Sequence, residues 1–386
     1  MDPSKKSACA AAYLTDDIIV EILSRLPVKS ICRFKCVSWH WYGLITHSEH
    51  RTKIPQTLSG FFYPGYRLNR EENDIVIFSD FVDITGREEL PFSDPSLPFL
   101  SGYRLIIPKI CCNGLLFCLC WKVSPRDEAN YVVCNPATEK WFVLPESDYD
   151  SGACAYRFSF DPAVSSHFHV FQILEEDEDY GFIAGVNIYS SETGAWSHKG
   201  NGWGNELQLV DSRGVFFKGI LHLMTNCFKI LAVDTQGKIW RSIPLLETMC
   251  AENFGRNLLS SNLTFIGQSR GQLYYINMRE RDLSVLSVWI LEDYGSDEWI
   301  FKYNISTSQL FGEKGLGFEQ DYALIAIHPE CSLIYFVWKC EGILMSYDME
   351  RGKVCVICNA IERLYDPFLP YLPYVPFLSG SARLEA

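Results

Sequence analysis

One motif recurs along this chain, and its period limits the folds open to it. A turn-forming residue is followed six positions later by Trp: Asn135-x-x-Thr138-x-x-Trp141, Ser190-x-x-Thr193-x-x-Trp196, Asp234-x-x-Gly237-x-x-Trp240 and Asp293-x-x-Ser296-x-x-Trp299. A fifth copy, Asp348-x-x-Arg351-x-x-Val354, lacks the Trp. Each copy follows a strand-like run: YVVC, VNIY, ILAV, SVWIL and ILMSY. Upstream in three units stands a Gly-led strand, GLLFCL from Gly114, GILHLM from Gly219 and GQLYYI from Gly271. CSLIYFVW from Cys331 fills the same slot without Gly, and HFHVFQI from His167 fills it loosely. The copies sit 55, 44, 59 and 55 residues apart. A repeat of this length made of strands and turns implies an all-β propeller. The turn former opens a hairpin, and the Trp begins the next strand and packs between neighbouring blades. The span from Gly60 to Pro376 then holds about six blades of about 53 residues. Five are visible. The sixth is expected to be shared between residues 60–108 and the C-terminal tail, because closing a ring brings the chain ends together. The alternative is an unrepeated β-sandwich.

The period is different before Pro55. Ile18, Ile19, Ile22, Leu23 and Leu26 draw one apolar stripe at helical spacing. Thr15 stands at the N-cap, with Asp16 and Asp17 in the first turn, where the helix dipole favours acids. Pro27 stops the helix. A second helix is expected from about Ser30 to Val37, carrying Ile31 and Phe34. Ser38 can cap a third, carrying Trp41, Leu44 and Ile45. Three helices in so few residues bury little surface by themselves, so part of the apolar set needs cover from outside the segment.

The run LTDDIIVEILSRLPVKSICRFKCVSWHWYGLI resembles the F-box, a helical module that docks onto a Skp-family adaptor. Leu14, Ile18, Ile22, Leu23, Leu26, Pro27, Ile31, Phe34, Val37, Trp41, Leu44 and Ile45 match the family pattern in order. The departures are Thr15 for Pro, Ser38 for Cys and Trp39 for Lys. Thr15 can cap where Pro would start the helix; Trp39 loses a charge, which is expected to trim affinity. The resemblance implies adaptor contacts from Leu14, Ile18, Ile22, Leu23, Leu26, Pro27, Ile31, Val37 and Trp41. The repeat region resembles the kelch-like associated domain of plant F-box proteins, on CNGLLFC from Cys112, VVCNPATEKWFVLP from Val132, ILAVDTQGKIWRSIP from Ile230 and LSVWILEDYGSDEW from Leu283. The expected fold is therefore a small all-α three-helix F-box followed by a kelch-like all-β propeller of about six blades. Its boundaries are a disordered start at 1–12, F-box 13–50, linker 51–59, propeller 60–376 and tail 377–386.

Charge narrows the partners. Up to His50 the chain has 6 basic and 5 acidic residues; the remainder has 28 and 42, a net charge of −14. Such a body repels phosphate backbones, so nucleic acid is not an expected partner. The first residues are too short and too weakly apolar for a secretory signal, and no run is long enough for a membrane helix. A cytoplasmic or nuclear location follows as an expectation. There the 15 irregularly spaced cysteines are expected to be mostly reduced thiols.

The chemical motifs are weak in their contexts. Gly267-Gln-Ser269-Arg-Gly271 matches a nucleophile elbow, with Asp293 and His328 following in order, but Gly271 leads into a strand rather than a helix. A hairpin loop is the better reading. His167 and His169 share a strand face without an acid or Cys cluster to complete a metal site. Cys355-x-x-Cys358 has no second pair. Neither a catalytic residue nor a cofactor or metal site is expected. The acidic run Glu175–Asp179 reads as a solvated loop that could steer a basic partner. Asn201-Gly-Trp203-Gly places a Trp in a loop, more readily folded inward than exposed. The prolines at 367, 370, 373 and 376 suit polyproline II, but Phe368, Tyr371 and Tyr374 need cover, which favours a tail packed on the propeller.

Taken with the resemblance, the sequence implies a substrate-receptor subunit of an SCF-type ubiquitin ligase. The F-box would dock a Skp-family adaptor and, through it, a cullin, while the propeller holds a target protein. A scaffold acting without ubiquitin transfer and a propeller hydrolase are the alternatives.

Overall fold

A computed structural model describes residues 14–26, 30, 34, 37–46, 50, 58–69, 74–85, 90–147, 154–175, 182–204, 207–225, 229–249, 264–279, 282–311, 322–338, 342–358, 371–377 and 384. The chain divides into two units, Met1–Thr57 with Pro162–Ser165, and Leu58–Asp161 with Ser166–Ala386.

In the first unit a helix spans Asp16–Ser24 and another spans Trp39–Thr46. Thr15 occupies the N-cap in extended backbone and its carbonyl accepts from Ile19 N, but its hydroxyl makes no capping hydrogen bond. Ser38 does cap: its Oγ accepts from Trp41 N at 3.2 Å. Ile19, Val20 and Leu23 pack on Leu44 and Ile45, and Leu26, Phe34 and Trp41 flank them. At about 1.5–3 kcal/mol for each fully buried aliphatic side chain, five such residues make a small core. Pro27, Ile31 and most of the expected middle helix lie outside the described residues.

The second unit is a ring of six sheets. β1 (Gly60–Asn69) pairs with β2 (Asp74–Asp83) on one side and with β23 (Leu372–Tyr374) on the other. Five four-stranded antiparallel sheets lie between them in sequence. They are β3 to β6 (Tyr103–Cys112, Leu115–Lys122, Ala129–Asn135, Lys140–Val143) and β7 to β10 (Cys154–Phe160, Phe168–Glu175, Ile183–Ser190, Ala195–Gly200). Next come β11 to β14 (Leu209–Phe217, Ile220–Thr225, Lys229–Asp234, Trp240–Pro244) and β15 to β18 (Thr264–Ser269, Gln272–Arg279, Asp282–Asp293, Glu298–Ser306). The last are β19 to β22 (Tyr322–Ile327, Leu333–Trp338, Ile343–Asp348, Lys353–Cys358). The strands β3, β7, β11, β15, β19 and β23 neighbour one another from blade to blade, which makes them the inner wall. The six-bladed propeller is thus present, and the period excludes the sandwich. Residues 103–108, expected in the shared blade, instead begin β3 of the following one. The closing blade takes its inner strand from the tail and, among the described residues, has three strands.

The repeat motif has a structural reason at each position. Its first residue accepts backbone N–H bonds inside the turn: Asn135 Oδ1 from Ala137 at 3.0 Å, Asp234 Oδ1 from Lys238 at 2.7 Å, Asp293 Oδ1 from Gly295 at 2.8 Å, and Asp348 Oδ1 from Glu350 at 2.9 Å. Ser190 Oγ does the same more weakly, at 3.3 Å from Glu192 N. The Trp ties blades together: Trp196 Nε1 donates to Pro145 O at 2.9 Å and Trp299 Nε1 to Pro244 O at 3.1 Å, each across to the preceding blade. Trp240 departs from this, bonding Gly237 O in its own turn while Trp203 stands edge-on against it. A sixth turn of the same kind was missed in the sequence. Asp83 Oδ1 accepts from Thr85 N at 3.1 Å after β2, but no Trp follows to mark it. The Gly-led strands are explained by two-residue hairpins. Asn113-Gly114, Lys218-Gly219 and Arg270-Gly271 all have positive φ at both positions, the type I′ turn that matches strand twist.

The tail packs on the ring as expected. Tyr371, Leu372, Tyr374 and Phe377 are buried, and Phe377 O accepts from Asn135 Nδ2 at 2.8 Å. Phe368 lies outside the described residues.

Candidate functional site: an exposed apolar face on the helical unit

The helix Asp16–Ser24 has two apolar faces. One, carrying Ile19, Val20 and Leu23, fills the core. The other is in solvent: Leu14, Ile18 and Ile22, at four-residue spacing, are exposed, Ile18 at 47%. Val37 is exposed at 58% and Trp39 at 88%. Among the described residues the unit thus leaves five large apolar side chains outside a small core, an exposed set of the kind that interaction sites carry.

The expected adaptor contacts differ in exposure. Leu14, Ile18, Ile22 and Val37 are accessible. Leu23 is wholly buried in the core of the unit. Leu26 and Trp41 are half-buried against the same core, Trp41 stacked on Phe34 at 5.0 Å. Pro27 and Ile31 lie outside the described residues. Trp39, a departure from the family pattern, is the most exposed large apolar side chain among the described residues. Polar contacts frame the face. His40 Nε2 meets Asp16 Oδ1 at 2.9 Å, joining the N-terminal ends of the two helices, and Arg25 bonds Glu21 one turn away. Both pairs are exposed and contribute little stability.

The other candidates do not assemble. Ser269 Oγ, buried in the hairpin between β15 and β16, donates to the His328 backbone carbonyl at 2.6 Å. The His328 ring accepts from Glu330 N at 3.0 Å, and Asp293 is spent on its turn. No nucleophile–base contact forms among them. Burial holds His169 down to about 4, with His167 adding to the effect, so it is a neutral packing residue at ordinary pH. Among the described residues no cluster of His, Cys, Asp and Glu could hold a metal ion. Cys355 and Cys358 are free thiols on the outer strand β22. Trp203 folds inward, donating to Ala232 O at 3.0 Å. Of the acidic run only Glu175, at the end of β8, is described.

Comparison with known proteins decides the family. Residues 13–53 match the F-box domain, and residues 99–369 match the family described as F-box protein At3g26010-like, beta-propeller. The chain belongs to that family of F-box proteins. Among its relatives, F-box protein At5g07610 of Arabidopsis thaliana is 28% identical over 322 residues, covering 80% of this chain and 73% of the relative. F-box protein At5g49610 of the same plant is 28% identical, covering 76% and 79%. F-box protein At3g26010 itself is 25% identical, covering 84% and 74%. F-box domains in general bind Skp-family adaptors.

Proposed function

We propose that this F-box protein is a non-catalytic substrate receptor of an SCF-type ubiquitin ligase. The helical unit grips a Skp-family adaptor, and through it a cullin. The propeller, kelch-like in its resemblance, holds a target protein. The mechanism is proximity: tethering the target beside the charged ubiquitin-conjugating enzyme raises its effective concentration, so the receptor needs neither a catalytic group nor a cofactor. The complex works in the cytoplasm or nucleus.

The observation that carries this reading is the row Leu14, Ile18 and Ile22, apolar and in solvent on a helix whose opposite face already fills its core. It also selects the variants. Leu26→Ala would mix folding with docking, because Leu26 packs on the core. Ile18→Asp with Ile22→Asp changes exposed positions only. Interface hot spots lose at least about 2 kcal/mol on truncation, roughly thirtyfold in affinity. The double variant, as full-length chain, should lose at least that much for a Skp-family adaptor in calorimetry while its circular dichroism stays unchanged. Undiminished binding would refute the docking face.

A further inference from the structure

The ring closes through β23, ahead of residue 377. Phe377 then joins the core between the β3–β6 and β7–β10 blades, edge-on to Phe160 at 4.9 Å, with its carbonyl held by Asn135 Nδ2 at 2.8 Å. Gly114, φ +86°, leaves the room that Phe377 takes at the β3–β4 hairpin. Leu384 adds one more side chain to the same core, 2% exposed in a cluster with Leu115, Phe117, Phe158 and Phe160. It belongs to no strand or helix. Within residues 379–386 it is the one large apolar side chain, and Ser379-Gly380-Ser381-Ala382 before it are all small. Burial of a single leucine favours the seated state by on the order of ten- to a hundredfold, so a minor population leaves the seat open.

We propose that this seat is a binding site for targets: it accepts an extended segment that presents a leucine, and Leu384 fills it when no such partner is bound. That the partner is a target rests on the receptor reading above. The tail itself defines the ligand chemistry, one aliphatic side chain after a run of small residues. The occupant is another protein rather than a second copy of this chain, because two bodies of net charge −14 repel each other. The tethered leucine also sets a threshold. A segment tethered this closely has an effective concentration of about millimolar, so a partner must bring further contacts to displace it, and a chance leucine does not.

The test is methyl nuclear magnetic resonance of the full-length chain, following Leu115 and Leu144, both members of that core. The probe is a synthetic peptide of residues 379–386, which holds a single leucine. Leu384→Asp and Leu384→Ala empty the seat, and both should keep cooperative melting, since the ring closes through β23. At about millimolar peptide the Leu115 and Leu144 signals should shift in both variants. The wild-type chain should need at least about tenfold more peptide, and a peptide with Asp in place of its leucine should shift nothing. Absence of shifts in a variant that melts as wild type does, or equal titration by wild type, would show that the seat accepts nothing in trans. Loss of cooperative melting in Leu384→Ala would make Leu384 a fixed part of the core. Association of the wild-type chain that Leu384→Asp abolishes would give the seat to a second copy. Each of these results overturns the inference. None involves the adaptor, so the receptor reading stands or falls separately, on ubiquitin transfer.

Discussion

His222 shows what a single buried group contributes to this ring. It lies on β12 with no exposure, its Nδ1 against Val215 O at 3.3 Å and its Nε2 against the Tyr294 hydroxyl at 2.8 Å. A carbonyl can only accept, so Nδ1 carries the proton and Nε2 accepts from Tyr294. Arg241 stacks over the Tyr294 ring at 4.6 Å and pairs with Asp297, so the contact joins two blades. Burial, with the nearby Arg241 charge, lowers the imidazole to about 4. Unfolded, it takes a proton near pH 6.5. Between those values the unfolded state holds more protons, so stability is full above about pH 6.5 and falls as pH drops toward 4. Burial sets His169 and His328 near 4 as well, so they add in the same direction. Each contributes a slope of at most about 1.4 kcal/mol per pH unit. In urea melts from pH 7 to 4, His222→Gln should lower overall stability and flatten that slope by about one histidine's share. An unchanged slope would mean that the ring protonates in place.

At the scale of elements, what was legible in the sequence is what repeats locally. Turn formers, hairpin glycines and the blade Trp each answer a local need, so Asn135, Gly219 and Trp299 announce themselves by spacing. The sixth turn at Asp83 was hidden because the chain after it carries no Trp, and its nearby aromatic, Phe92, packs instead with Phe62 and Tyr374. The first helix was legible as one apolar stripe but not as a buried and an exposed face. Leu23 and Ile22 look alike in sequence, and the partner helix alone decides which is buried. Two hairpin glycines separate local strain from tertiary fit. At Gly219, φ +80°, an added Cβ meets nothing within 4 Å. At Gly114, φ +86°, it would meet Phe377 Cβ at 2.4 Å and Val375 O at 2.6 Å. Gly219→Ala should cost about 1–2 kcal/mol, the left-handed backbone penalty alone. Gly114→Ala should cost at least twice as much in the same denaturant melts, because it also displaces the tail. Equal costs would mean that the tail does not press on that turn.

The ring depends on its first strand meeting the tail. Ser59 N donates to Tyr374 O at 2.9 Å, β1 pairs with β23, and Phe377 packs edge-on against Phe160 two blades from the closing sheet in ring order. Deleting residues 371–386 removes the inner strand of the closing blade and exposes the edge of β1 to solvent. The deletion should abolish cooperative melting and drive association in light scattering; a monomer melting as wild type does would show that the ring closes without its tail. The helical unit has its own core, so its adaptor binding should outlast that damage. In the proposed function a ring that holds a target and a helical unit that grips an adaptor bridge the two proteins.

The most direct measurement is reconstituted ubiquitylation of a propeller-bound protein, with Skp-family adaptor, cullin and conjugating enzyme, comparing wild type with the Ile18→Asp/Ile22→Asp chain. Ubiquitin should pass to the captured protein with wild type, and the variant should capture the protein without transfer. Equal transfer by both chains, or none by a wild-type chain that holds adaptor and captured protein together, would contradict the proposed function.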